Sequence, residues 1–145
     1  MAVNEVVIES SLEQLRQESS SDFAAIGVID IENRKLCWHY ARGSVSARTL
    51  LIVQKTSSGL TGTAIRSGRP AKSNITATES ERFKLGEPLV LTERLDAAVS
   101  LPLYYSNEVA GIVLLGRRSQ QNYSVNELDA ASSGADELVG LLFEK

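Results

Sequence analysis

The chain has 145 residues, 43% hydrophobic and 23% charged, with a formal net charge of −3 and a pI near 5.2. That balance leaves no basic stripe to neutralise nucleic-acid phosphates or anionic lipid, and no apolar run approaches the ~20 residues of a membrane span. One cysteine and one histidine exclude an internal disulfide framework and a structural Cys/His zinc site, and they fit a reducing cytoplasm.

Residues 3–20 read as an amphipathic helix. Val3, Val7, Ile8, Leu12 and Leu15 lie near one face, with Glu5, Glu9, Glu13, Arg16 and Glu18 elsewhere. The acidic N-terminus gives no expectation of a secretory leader. Ser19-Ser20-Ser21-Asp22 breaks the helix, and Phe23 to Ile31 reads as a strand. Gly27 in its middle suggests a bulge or a close approach by another group. A turn over 32–35 leads into a return strand, Leu36 to Ala41. Simple alternation puts Leu36, Trp38 and Tyr40 on one face of it, and Cys37, His39 and Ala41 on the other.

A loop over 42–47 precedes a short predicted strand, Thr49 to Gln54. A helix with both ends marked then runs from Ser57 and Ser58 to Gly68 and Pro70. The serines suit N-caps, Gly68 suits the left-handed residue past a helix end, and Pro70 stops continuation. The start of such a helix offers unpaired N–H donors and about half a positive charge, which favours a small anion. It serves equally as an ordinary helix packing Leu60, Ala64 and Ile65. Ala71 to Asn74 reads as an edge strand, and 76–94 as a polar, irregular loop.

Ala97 to Leu103 is a strand in which Pro102 demands an edge or a bulge. A turn over 105–108 returns it as Val109 to Leu115, apolar enough to be buried on both faces, after which Gly116, Arg117 and Arg118 leave the sheet. Ser124 and Glu127 form a capping box for the last helix, with Tyr123 and Leu128 as its hydrophobic staple. Its stripe is Val125, Leu128, Ala131, Ala135, Leu138 and Leu142. The expected fold is α+β: an antiparallel sheet with the N- and C-terminal helices on one face, and the short helix and long loop on the other. The whole chain, 1–145, reads as one domain.

This order of elements resembles a GAF domain. The resemblance rests on Gly59-Leu60-Thr61-Gly62 with Ser67-Gly68-Arg69-Pro70, on Ser100-Leu101-Pro102-Leu103, and on Glu108 through Leu115. It implies a ligand pocket on the sheet face opposite the terminal helices. Within the family, Leu36-Cys37-Trp38-His39-Tyr40 followed by Gly43 and Arg48, and Leu114-Leu115-Gly116-Arg117-Arg118, are similar to stand-alone nitrate receptors that work beside a sensor histidine kinase in Gram-positive bacteria. In that group nitrate is held in a small buried pocket by backbone amides and aromatic side chains. The resemblance implies Trp38 as the aromatic wall, with Tyr40 beside it and the amides of Leu60 and Thr61 at the helix start. Ala64 follows on that helix, and the amides of Ala97, Ala98 and Val99 come from the central strand. The chain departs from the pattern in its longer 76–94 loop and at Ala97, where a larger residue is expected. Free methionine-(R)-sulfoxide reductases share the fold, but their chemistry needs several cysteines, and this chain has Cys37 alone.

No catalytic constellation emerges, so the sequence reads as a non-enzymatic, cytoplasmic small-anion sensor without a cofactor. Two alternatives stay open. One is a GAF domain for another metabolite or a nucleotide. The other is a ligand-free interaction module, homodimeric through its terminal helices.

Overall fold

Strands with long runs of consecutive apolar residues must be covered on both faces, and that requirement shapes the molecule. The computed structural model describes residues 3–144. Its six-stranded antiparallel sheet has the order β3-β2-β1-β6-β5-β4. The strands are β1 (Phe23–Asp30), β2 (Lys35–Arg42), β3 (Val53–Lys55), β4 (Ala71–Lys72), β5 (Ala97–Tyr105) and β6 (Glu108–Arg117). On one face lie α1 (Val3–Glu18), α5 (Val125–Asp136) and α6 (Leu138–Phe143). The other face carries α2 (Gly59–Ser67), α3 (Glu79–Leu85) and α4 (Pro88–Thr92). Residues of β6 alternate between the two layers. Val113 and Leu115 join Leu12, Ala24, Ile26 and Ala135, while Ile112 and Leu114 join Phe23, Ala25, Trp38, Leu60 and Leu89.

The α+β architecture is the one expected, with corrections that bear on the site. The α1 stripe consists of Ile8, Leu12 and Leu15, whereas Val7 is exposed and the side chain of Val3 lies outside the described residues. In the β1–β2 hairpin Ile26 pairs with Tyr40 but Gly27 pairs with Trp38, so His39 is the extra residue of a bulge. The bulge reverses the alternation. Trp38 stays with Leu36 in the α2-side core, and Tyr40 turns to the terminal-helix layer, so the two rings do not share a face. Gly27 gives the room for this packing, since a Cβ would sit 3.0 Å from side-chain atoms of both Leu36 and Trp38.

Thr49–Leu51 forms a 3-10 turn rather than the start of a strand, and only Val53–Lys55 pairs with β2. The 76–94 segment is not irregular: it holds α3, capped reciprocally by Thr78 and Glu81, and α4, which opens on Pro88. The final helix divides at Glu137 into α5 and α6, and the Ser124–Glu127 capping box is present. Pro102 lies beyond the two-residue β4, at a stretch of β5 with no outer neighbour. Gly116 stays in β6, and Arg117 ends the strand fully buried instead of leaving the sheet. It donates to the carbonyls of Ser19, Ser20 and Asn122 and to Glu127, with its guanidinium 3.9 Å from the Tyr123 ring centre.

Candidate functional site

The start of α2 is closed by the chain itself. Ser58 is the N-cap residue, but its side chain makes no capping bond. The N–H of Thr61 instead donates to Oε1 of Glu87, 2.7 Å away. The other carboxylate oxygen accepts from Nε2 of Gln54 at 2.9 Å. Gln54 is oriented in turn by Trp38, whose indole Nε1–H donates to Gln54 Oε1 at 2.8 Å. Thr61 Oγ1 shares a further hydrogen bond with Ser100 Oγ at 3.1 Å. Trp38, Gln54, Thr61, Glu87 and Ser100 are all buried. A polar chain thus crosses the α2-side core from β2 to β5.

This placement follows from local backbone choices. Gly86 has φ +73° and ends α3, and Pro88 starts α4, so Glu87 is fixed between two short helices. Gly59, with φ +59°, opens α2 directly against that junction; a Cβ there would meet the Gly86 carbonyl oxygen at 2.6 Å. The helix start and the junction therefore touch backbone to backbone. Among the described residues Glu87 has no cationic partner within salt-bridge distance. Burial pushes its carboxyl above the ordinary value, against the hydrogen bonds from Thr61 and Gln54, which pull it down.

A second buried carboxylate secures the neighbouring loop. Glu93 accepts from Ser44 Oγ, the Val45 N–H and Thr49 Oγ1, and pairs with Arg118 at 2.7 Å. Arg118 also donates to the carbonyls of Gly43 and Glu93. Both ends of α4 are thus tied down by a buried glutamate.

Of the residues singled out from sequence, Trp38, Leu60, Ala64 and Ala98 fall in one buried cluster, with Thr61 at its polar edge. Tyr40, Ala97 and Val99 do not join them: their side chains belong to the terminal-helix layer. The amide of Ala98 is engaged by Ser73 Oγ at 3.1 Å. Sequence reasoning missed Gln54 and Glu87. No periodic pattern announces them, because their contact joins a strand end to a helix junction 33 residues away. The one local signal was Gly86-Glu87-Pro88, a polar residue held between a helix stop and a helix start.

An antiparallel sheet with helices on both faces defines an α+β sandwich. A family model for the GAF domain matches residues 5–139, and the chain belongs to that family. One similar structure is an NreA protein from Staphylococcus aureus mutated in its nitrate binding site. It is 28% identical with a TM-score of 0.73, covering 84% of this chain and 91% of that one. A second structure of NreA mutated in that site is 30% identical with a TM-score of 0.69, covering 79% and 87%. A type II free methionine-R-sulfoxide reductase from Thermoplasma acidophilum has a TM-score of 0.75 at 15% identity over 97% and 93%, a likeness of fold alone. No curated protein matches the chain. Among the described residues no helix is long and apolar enough to cross a membrane.

Proposed function

We propose that this chain is a single-domain, non-enzymatic GAF sensor of the cytoplasm, needing no cofactor, whose ligand is a small planar monoanion, with nitrate first among them. The observation that carries the reading is the seat at the start of α2, where the Thr61 N–H and the Gln54 amide, oriented by Trp38, grip the two oxygens of the planar Glu87 carboxyl. Similarity to NreA proteins with a nitrate binding site supports nitrate as the occupant. A monoanion taking two or three such bonds gains about 1.5–3 kcal/mol from each. Association costs several kcal/mol, which leaves a dissociation constant between roughly millimolar and micromolar.

The output is a change in the surface offered to a sensor histidine kinase, through a shift in population of the elements around the seat. Val6 and Val7, half-exposed on α1, supply apolar surface for a homodimer through the terminal helices. A second reading, a ligand-free interaction module, is favoured by the same seat being filled by Glu87.

Thermal unfolding with graded nitrate, against chloride and sulfate, tests the reading. Nitrate at ~100 times its dissociation constant stabilises by about 2.7 kcal/mol, a rise of about 5–10 °C. The rise is expected for nitrate alone and is expected to vanish in Trp38→Ala. Equal shifts with all three salts, or none, would remove nitrate and favour the ligand-free module.

A further inference from the structure

We infer that the Glu87 side chain is the resident occupant of the anion seat, a tethered competitor that sets the affinity of the site and must be displaced before a free anion can enter. The inference rests on the proposed anion-sensing role of the α2 start and adds how that site is controlled. Four atoms of Glu87, Cγ, Cδ and the two carboxylate oxygens, form a planar three-pronged group. Nitrate, formate and acetate share its planar, trigonal oxyanion geometry, and nitrate has the same number of heavy atoms in the same trigonal-planar arrangement. Two oxygens of this group already use the donors that a free anion would use, Thr61 N–H and Gln54 Nε2. Gln54 cannot turn its amide round without losing the bond from Trp38 Nε1, so it keeps offering a donor to whatever sits there.

Glu87 is itself buried, but an open groove adjoins it. Glu87 lines this groove of about 380 Å³, together with Ile52, Phe83, Pro88 and Leu91. Of the two helices that flank Glu87, α3 buries none of its residues while α4 holds Leu89 and Val90 in the core, so the movement that costs least core is on the α3 side. A tethered group acts at millimolar effective concentration or above, and a free anion sees only the fraction of molecules in which the seat is vacant. Displacement would also release the 86–88 junction from Gly59, which couples occupancy to the position of α3 and α4.

The test compares wild type with Glu87→Ala, and with Glu87→Ser should the alanine variant fail to fold. Nitrate, formate and acetate are titrated against thermal midpoint, with sulfate as control, and hydrogen exchange is followed at the Thr61 amide. The expected result is half-saturation by nitrate or formate at concentrations at least tenfold lower in the variant. Faster exchange at Thr61 in the variant without anion, slowed again by nitrate, is expected alongside. Equal half-saturating concentrations in the two proteins would overturn the inference and leave the nitrate reading standing. If no anion stabilises either protein, the nitrate reading falls. The inference falls with it, since without a bound anion Glu87 has no competitor, whatever the Thr61 exchange rate.

Discussion

Arg117 shows how much one side chain can organise. It is 1% exposed at the end of β6, and its guanidinium satisfies carbonyls from the α1–β1 link and from the segment before α5, as well as Glu127. Truncation to alanine strands those carbonyls and removes the plane stacked on Tyr123. We expect Arg117→Ala to cost about 2–4 kcal/mol, read from urea unfolding. Arg117→Lys keeps the charge but not the fork, and should recover only part of that loss. The partner carries a pH signature. Hydrogen bonding from Arg117 lowers the Glu127 carboxyl from 4.5 to about 2. A carboxyl lowered by folding contributes stability above its unfolded value and loses it as pH falls through the folded one. Stability should therefore drop between about pH 4.5 and 2, with Glu13, lowered to about 2 by Arg16, acting in the same direction. Glu127→Gln should flatten that slope, and an unchanged slope would mean that the pair contributes nothing. Glu87 has the opposite sign: burial raises it, so its share of stability declines as pH rises past the ordinary carboxyl value.

At the scale of elements, two capping boxes with the same spacing had different fates in the reading of the sequence. Ser124-x-x-Glu127 stands before a stripe of apolar residues and announces α5. Thr78-x-x-Glu81 is equally well formed, yet α3 buries none of its residues, so no stripe marks it and the segment reads as loop. Periodicity reports burial, and an element that buries nothing is invisible to it. The bulge at His39 was hidden for a related reason. A one-residue slip leaves the composition of β2 unchanged while moving Tyr40 to the other core, and only Gly27 on the partner strand hints at it. The hairpins, the Gly68 stop and the two-layer plan were legible because each is written in residues close in sequence. The Trp38–Gln54–Glu87–Thr61 chain was not, because it joins four separate elements. The exposure of α3 also carries a prediction. Thr78→Ala should cost about 0.5–2 kcal/mol locally. The loss is expected as faster amide exchange over 79–85 with the global unfolding midpoint nearly unchanged. A matching fall in the global midpoint would show α3 to be part of the cooperative core.

For the molecule as a whole, the question is whether its two cores behave as one. They share no buried side chain, but β1, β5 and β6 feed both, residue by residue: Ala24 and Ile26 against Ala25, Ala97 and Val99 against Ala98, Val113 and Leu115 against Ile112 and Leu114. A strand cannot leave one layer without withdrawing its alternate side chains from the other. Coupling across the sheet is thus covalent in origin, and a change at the α2 start is felt by strands that also carry the terminal helices. Leu12 and Leu89 are each fully buried, one in each core. Either leucine replaced by alanine should cost about 2–5 kcal/mol. Both variants should still unfold in one transition, seen alike by Trp38 fluorescence on the α2 side and by helical circular dichroism, which the terminal helices dominate. In a molecule whose layers were independent, Leu89→Ala would move the fluorescence transition and leave the helical one in place. Such a split would also remove the sheet as the route by which a change at the α2 start reaches α1 and α5.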